Sequence, residues 1–156
     1  MRLKAMIKWL ERAVYTCTFL VVLVILFGLV NGAGCRYDLS IEKQDSHNTF
    51  LTCHRGKVMV LHTLLNQDRE IISQWKVSAR QLQIGKQLIY FVYHRERLEG
   101  GNQENETDRY NQIFSGYKTV FYHIDRIDDR VFIFANFPKS TITTGLVHGE
   151  MSFFNH

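Results

Sequence analysis

The sequence predicts a mainly β protein, with one N-terminal transmembrane helix followed by an antiparallel β-barrel or sandwich. Three observations carry this. Residues 13–35, AVYTCTFLVVLVILFGLVNGAGC, hold no charged side chain. Beyond them come short segments rich in Val, Leu, Thr, Tyr and Phe, cut by polar or glycine-bearing turns, which is strand patterning. Two of these segments are long and can lie side by side, and helical periodicity is scarce, so a meander is favoured over an α/β enzyme.

The charge-free run comes first. At about 1.5 Å of rise per residue it reaches about 34 Å, enough to cross the apolar core of a bilayer. Arg2, Lys4, Lys8 and Arg12 precede it against Glu11 alone, whereas Arg36, Asp38, Glu42, Lys43 and Asp45 follow in mixed sign. The excess of basic residues keeps the N-terminus in the cytosol. Residues 1–12 are therefore expected to be a short cytosolic segment, 13–34 a transmembrane helix and 35–156 an exported β domain in the periplasm. The rival is a cleaved secretion signal, since Gly32-Ala33-Gly34 offers small residues; the apolar run is longer than the roughly 7–15 residues of a signal core. Cys35 after Gly34 also hints at a lipoprotein site, but Gly32 stands where such sites usually want Leu.

The exported part has about 120 residues, which can bury roughly two-thirds of its unfolded surface and fold alone. Of the 156 residues, 46% are apolar and 22% charged, as in a folded protein. The net charge of +4 is modest and partly spent in the N-terminal flank, so direct binding of nucleic acid is not implied.

Cys17 lies within the span, while Cys35 and Cys53 lie beyond it. In an oxidising compartment the latter two make one disulfide, a loop closure of about 3 kcal/mol in the chain-entropy model. Free thiols are the alternative; a zinc site is disfavoured because CxxC and HxxxH spacings are absent.

Strands are expected at 36–42, 49–53 and 57–65, with His54-Arg55-Gly56 as a turn. A strand near 71–78, a break around Gly85 and a long strand near 87–98 follow. EGGNQENETDR, after Leu98, has nothing apolar to bury and reads as a hairpin loop; its Asn105-Glu106-Thr107 matches a glycosylation sequon. The second long strand, near 116–127, turns at Asp128-Asp129 into a strand at 130–137, and ITTGLVHGEMSFF supplies a last one.

No nucleophile elbow, phosphate loop, dinucleotide fingerprint or HExxH occurs, so no enzyme, cofactor or metal is expected. Asp125, Asp128 and Asp129 beside Arg126 and Arg130 read as a solvated turn. The aromatic stripe is either ordinary barrel core or the lining of a pocket for one small apolar ligand, with Tyr90, Tyr93, Phe121, Phe132 and Phe134 as the candidate wall. Seven histidines invite a response to acidity, and His94 and His123 stand on the two long strands.

The basic N-terminus, the span, the Cys35/Cys53 pair and the β-segments ending in YKTVFYHIDRIDDRVFIF resemble the FidL-like and ToxS-like inner-membrane regulatory accessories of enterobacteria and vibrios. Within that group the resemblance is closest to the MyfF and PsaF type of fimbrial operons. It implies a non-enzymatic accessory with a lipocalin-like periplasmic barrel that binds and stabilises a ToxR-like winged-helix activator. It further implies support of fimbrial or virulence gene expression, with a bile-salt-like ligand or acidity as signal. The competing class is a membrane-anchored envelope binding or structural protein, such as an assembly subunit or a small viral glycoprotein.

Overall fold

The computed structural model describes residues 2–42, 47–66, 68–100, 117–136 and 140–154. The loop expected after Leu98 falls largely outside them, as do Asn105, Phe137 and His156. One helix, α1 (Arg2–Ala33), is followed by eight strands: β1 (Arg36–Glu42), β2 (His47–His54), β3 (Lys57–Leu65), β4 (Ile71–Ile84), β5 (Gln87–Gly100), β6 (Thr119–Ile127), β7 (Arg130–Ala135) and β8 (Thr141–Glu150). The strands form a closed barrel in sequence order. Every neighbouring pair is antiparallel, and β8 returns to β1 with Val147 opposite Leu39. The expected antiparallel barrel is the fold observed.

Closure follows from the turns and the patterning. Arg55 and Gly56 both have positive φ, 51° and 74°, so β2 and β3 join through a two-residue turn whose twist matches that of the strands. Alternate residues then point inward: Tyr37 and Leu39, Leu51 and Cys53, Val58 and Val60, Val77 and Ala79, Leu88 and Tyr90, Val131 and Ile133 are all buried in one cluster. β4 runs on past residue 78, through Arg80 to Ile84, because its far end is covered on both faces. Gln81 and Gln83 are buried on one parity, while Leu82 packs outward beneath α1.

α1 begins at Arg2 and so includes the basic flank expected to precede it. It is long and apolar enough to cross a membrane from Met6 to Ala33. Its side chains are mostly exposed, Phe19 by 63% and Leu26 by 52%, which sets it apart from a core helix. Only its last turns touch the barrel. A Cβ on Gly32 would stand 2.6 Å from the Gln81 carbonyl oxygen, so glycine is what permits this approach. Next to this contact sits Asn31, 1% exposed. Its Nδ2 donates to the Gln83 carbonyl (3.1 Å), and the Phe154 N–H donates to its Oδ1 (2.9 Å). Immediately after the helix, Cys35 is bonded to Cys53, and the Gly56 N–H donates to Cys35 Sγ at 3.1 Å.

Asn31→Ala therefore removes the buried bond to the Gln83 carbonyl together with the acceptor of the Phe154 N–H, and its expected cost is about 1–3 kcal/mol, read as a lowered unfolding midpoint in detergent. Gly32→Leu should lower it further, because backbone, not a yielding side chain, lies in the way.

Candidate ligand cavity and outer aromatic face

Inward side chains do not fill the barrel. The end nearest α1 is plugged by a hydrogen-bonded floor. Tyr37 Oη donates to Gln81 Oε1 (2.8 Å) and lies 2.8 Å from Tyr90 Oη; Gln81 Nε2 donates to the Met151 carbonyl (2.8 Å). Met151 itself is 2% exposed and closes the space from below. Above it lies a cavity of about 140 Å³ walled by apolar groups such as Leu39, Val60, Leu88 and Ile133. That is near the size of a cavity known to hold one benzene, at about 150 Å³. At the far end the lining turns polar: His47, Asn48, Thr49, His62 and Thr141. Thr49 Oγ1 and His62 Nδ1 are 3.0 Å apart. The strands narrow the choice of occupant to one ring or a short branched chain with a polar end.

A cation stands near that polar mouth. β5 carries an extra residue at Tyr93, because Val92 pairs with Ala79 and His94 with Ser78. The bulge inverts parity, so Arg95, not His94, shares the inward face of its partner Val77, a wall residue of the cavity. Arg95 Nη2 donates to the Tyr117 carbonyl, and its Nε has no partner among the described residues. Burial pulls the guanidinium pKa below its usual range, and the group remains a cation at neutral pH.

The structure distributes the expected pocket residues unevenly. Tyr90 is in the wall, 6% exposed. Tyr93 is the outward bulge residue and Phe121 lies on the outer face, both 62% exposed. Phe132 and Phe134 alternate with the buried Val131 and Ile133 and also point outward. Apart from Tyr90 and Tyr122, whose rings meet edge to face at 5.9 Å, the apolar wall is made of smaller aliphatic and threonine side chains, since a closed eight-stranded barrel has little interior volume. What could have been read from the sequence is the parity Val131, Ile133, Ala135, which already separates the two faces.

The outward aromatics form a face of their own. Register runs Gln87, His123, Phe134 and Ile142 across β5 to β8, with Phe121 opposite Ile89 beside it. The His123 and Phe134 rings are 5.8 Å apart, and Gln87 Nε2 lies 3.0 Å from His123 Nδ1. Below this row Lys86 Nζ donates to Asp125 Oδ1 (2.8 Å); the Lys86 ammonium, by hydrogen bond and charge, holds the Asp125 carboxyl below the usual carboxylate range. His94 and His123 are not brought together. His123 is opposite Gln87, seven positions from His94 along β5, or about 23 Å at the rise of a strand. The histidines at the cavity mouth, His47 and His62, had no motif to mark them.

No protein-family model matches this chain, and no curated protein matches it. No cluster of three metal-ligating side chains occurs among the described residues.

Two outcomes are expected. Ala135→Leu projects a larger group into the cavity and should weaken uptake of a one-ring apolar probe about tenfold by fluorescence titration, since the lost space is about one ring's worth. Alkali tests the floor. Burial raises the Tyr37 phenol, and burial followed by the neighbouring Tyr37 raises Tyr90. Their folded pKa values exceed the unfolded value of about 10, so the floor's contribution is complete below that pH and is lost as pH rises above it. Phenolate absorbance should show these two tyrosines ionising only together with loss of the near-ultraviolet circular dichroism.

Proposed function

We propose that this chain is a non-enzymatic accessory, held in a bacterial inner membrane by α1 with its barrel in the periplasm, that binds and stabilises a ToxR-like winged-helix activator. In this reading it supports transcription of fimbrial or virulence genes. The observation that carries the binding role is the exposed aromatic face of β5–β8. Phe121, Ile142 and their neighbours make an apolar surface that a lone soluble domain seldom leaves uncovered, and it surrounds His123. The resemblance in layout to the ToxS-like accessories supplies the kind of partner. The orientation rests on Arg2, Lys4, Lys8 and Arg12 before the span.

The cavity supplies a second input. Its occupant is an amphipathic acid: one ring or a short chain inside, and an anionic group toward Arg95. A whole four-ring steroid exceeds about 140 Å³, so a bile-salt-like molecule would enter by one end only. The ring nitrogens of His47 and His62 line the mouth beside the path of the entering anion.

Co-reconstitution with a co-encoded winged-helix membrane activator tests the partner role. The chain should lengthen the activator's lifetime against protease severalfold, and Phe121→Asp with Ile142→Asp should abolish the protection while the barrel's own unfolding midpoint holds. An activator degraded at the same rate with and without the chain overturns the reading and favours an anchored envelope binding or structural protein. For the cavity, Arg95→Gln should weaken an aromatic carboxylic acid about tenfold or more and leave its neutral amide unchanged, as expected for a lost charge-assisted hydrogen bond.

A further inference from the structure

The end of the barrel that meets α1 carries two features that neither the cavity nor the aromatic face uses. The first is Phe153-Phe154, which follow the floor residues Met151 and Ser152. Both are exposed, by 64% and 54%, although the backbone holding them is fixed. The Phe153 N–H donates to the Asn31 carbonyl (3.3 Å) and the Phe154 N–H to Asn31 Oδ1. The Phe154 ring is stacked on Phe27 of α1, with centroids 5.8 Å apart. Phe27 lies six positions before the last helical residue, Ala33, which is about 9 Å along the helix. The tail therefore doubles back alongside the span, toward its middle.

The second feature is a row of basic side chains around His54. Arg36 is opposite His54, His54 is opposite Lys57, and Lys57 is opposite Arg80, so these four cross β1 to β4 on one outward face. All four are exposed, as is Arg55 in the adjoining turn. None of the four Arg and Lys side chains is in an ion pair among the described residues. Glu150 lies at one end of the row, opposite Arg36. The turn touches the end of the span, since a Cβ on Gly56 would be 3.3 Å from Ala33 Cα.

We infer that this end of the barrel is a lipid-docking surface: Phe153 and Phe154 enter the apolar layer beside Phe27, and Arg36, Arg55, Lys57 and Arg80 lie in the headgroups and favour anionic lipid. The occupant follows from continuity with α1. If α1 spans the bilayer, a ring stacked on Phe27 shares its depth, and residues abutting Ala33 share the level at which the helix leaves the apolar core. Aromatic rings flanked by basic groups are the usual chemistry of such an interfacial layer. The inference rests on the reading of α1 as a retained span.

The test uses the full chain in proteoliposomes with Trp9→Phe and Trp75→Phe as background, and lipids brominated on their chains as quencher. Single tryptophans are introduced by Phe19→Trp within the span, by Phe154→Trp and separately Phe153→Trp at the tail, and by Ile142→Trp at the far end of β8. Quenching of both tail variants by about twofold or more, with Ile142→Trp unquenched, is the expected result for rings at the apolar boundary. Tail variants no more quenched than Ile142→Trp, with Phe19→Trp quenched, overturn the docking surface and leave the anchor standing. Absence of quenching at Phe19→Trp overturns the anchor and this inference with it. The cations are tested with spin-labelled lipid. Spin-labelled phosphatidylglycerol should associate several times more strongly than phosphatidylcholine, and Arg36→Gln, Arg55→Gln, Lys57→Gln and Arg80→Gln together should remove the difference. Equal association with the unsubstituted chain overturns the headgroup assignment.

Discussion

Closure of the sheet between β8 and β1 is the constraint on which the rest of this structure depends. Once the ring is complete, each strand residue is committed to the inside or the outside by parity alone, and the inside is small. Large aromatic rings cannot all be accommodated there. The interior is taken mostly by Val, Leu, Ile, Ala and Thr, with Tyr37 and Tyr90 in the floor and Tyr122 in the wall, which leaves a cavity of about 140 Å³. The displaced rings gather on the outer face of β5–β8. The cavity and the sticky exterior are thus two results of one geometric condition.

A second constraint acts at the end of the barrel that meets α1. The helix does not lead into the barrel through a linker. Its last turns are glycine-lined, close-packed on β4, hydrogen-bonded through Asn31 to both β4 and the C-terminal tail, and followed at once by a disulfide to β2. The helix is consequently joined to the barrel by close packing, hydrogen bonds and a disulfide, which fix its direction with respect to the aromatic face.

Much of the fold was legible in the sequence because its signals are local. The charge-free run, the Arg55-Gly56 turn, the Asp128-Asp129 turn and the Cys35/Cys53 pair each announce themselves within a few residues. The site was harder to read. Composition marks Phe121, Phe132 and Phe134 as aromatic but does not say which side of a closed sheet they occupy, and a single extra residue at Tyr93 reverses the face of the residues just beyond it on β5. His94 therefore points away from the interior and Arg95 toward it. Asn31 was invisible for a different reason: in sequence it is one polar residue near the end of an apolar helix, and its partners Gln83 and Phe154 are 52 and 123 residues distant.

The up-and-down order of the strands also shapes how the chain acquires its structure. Each ladder but one joins neighbours in sequence, so seven of the eight can zip in turn as the chain is made, at low loop-closure entropy. Cys35 and Cys53 are the first pair to become available, and their oxidation can fix the opening hairpin while most of the domain is still being made. The eighth ladder must wait for the final strand. Until β8 arrives, β1 and β7 both present unpaired edges, and a nascent chain is at its most vulnerable to joining another copy in that interval.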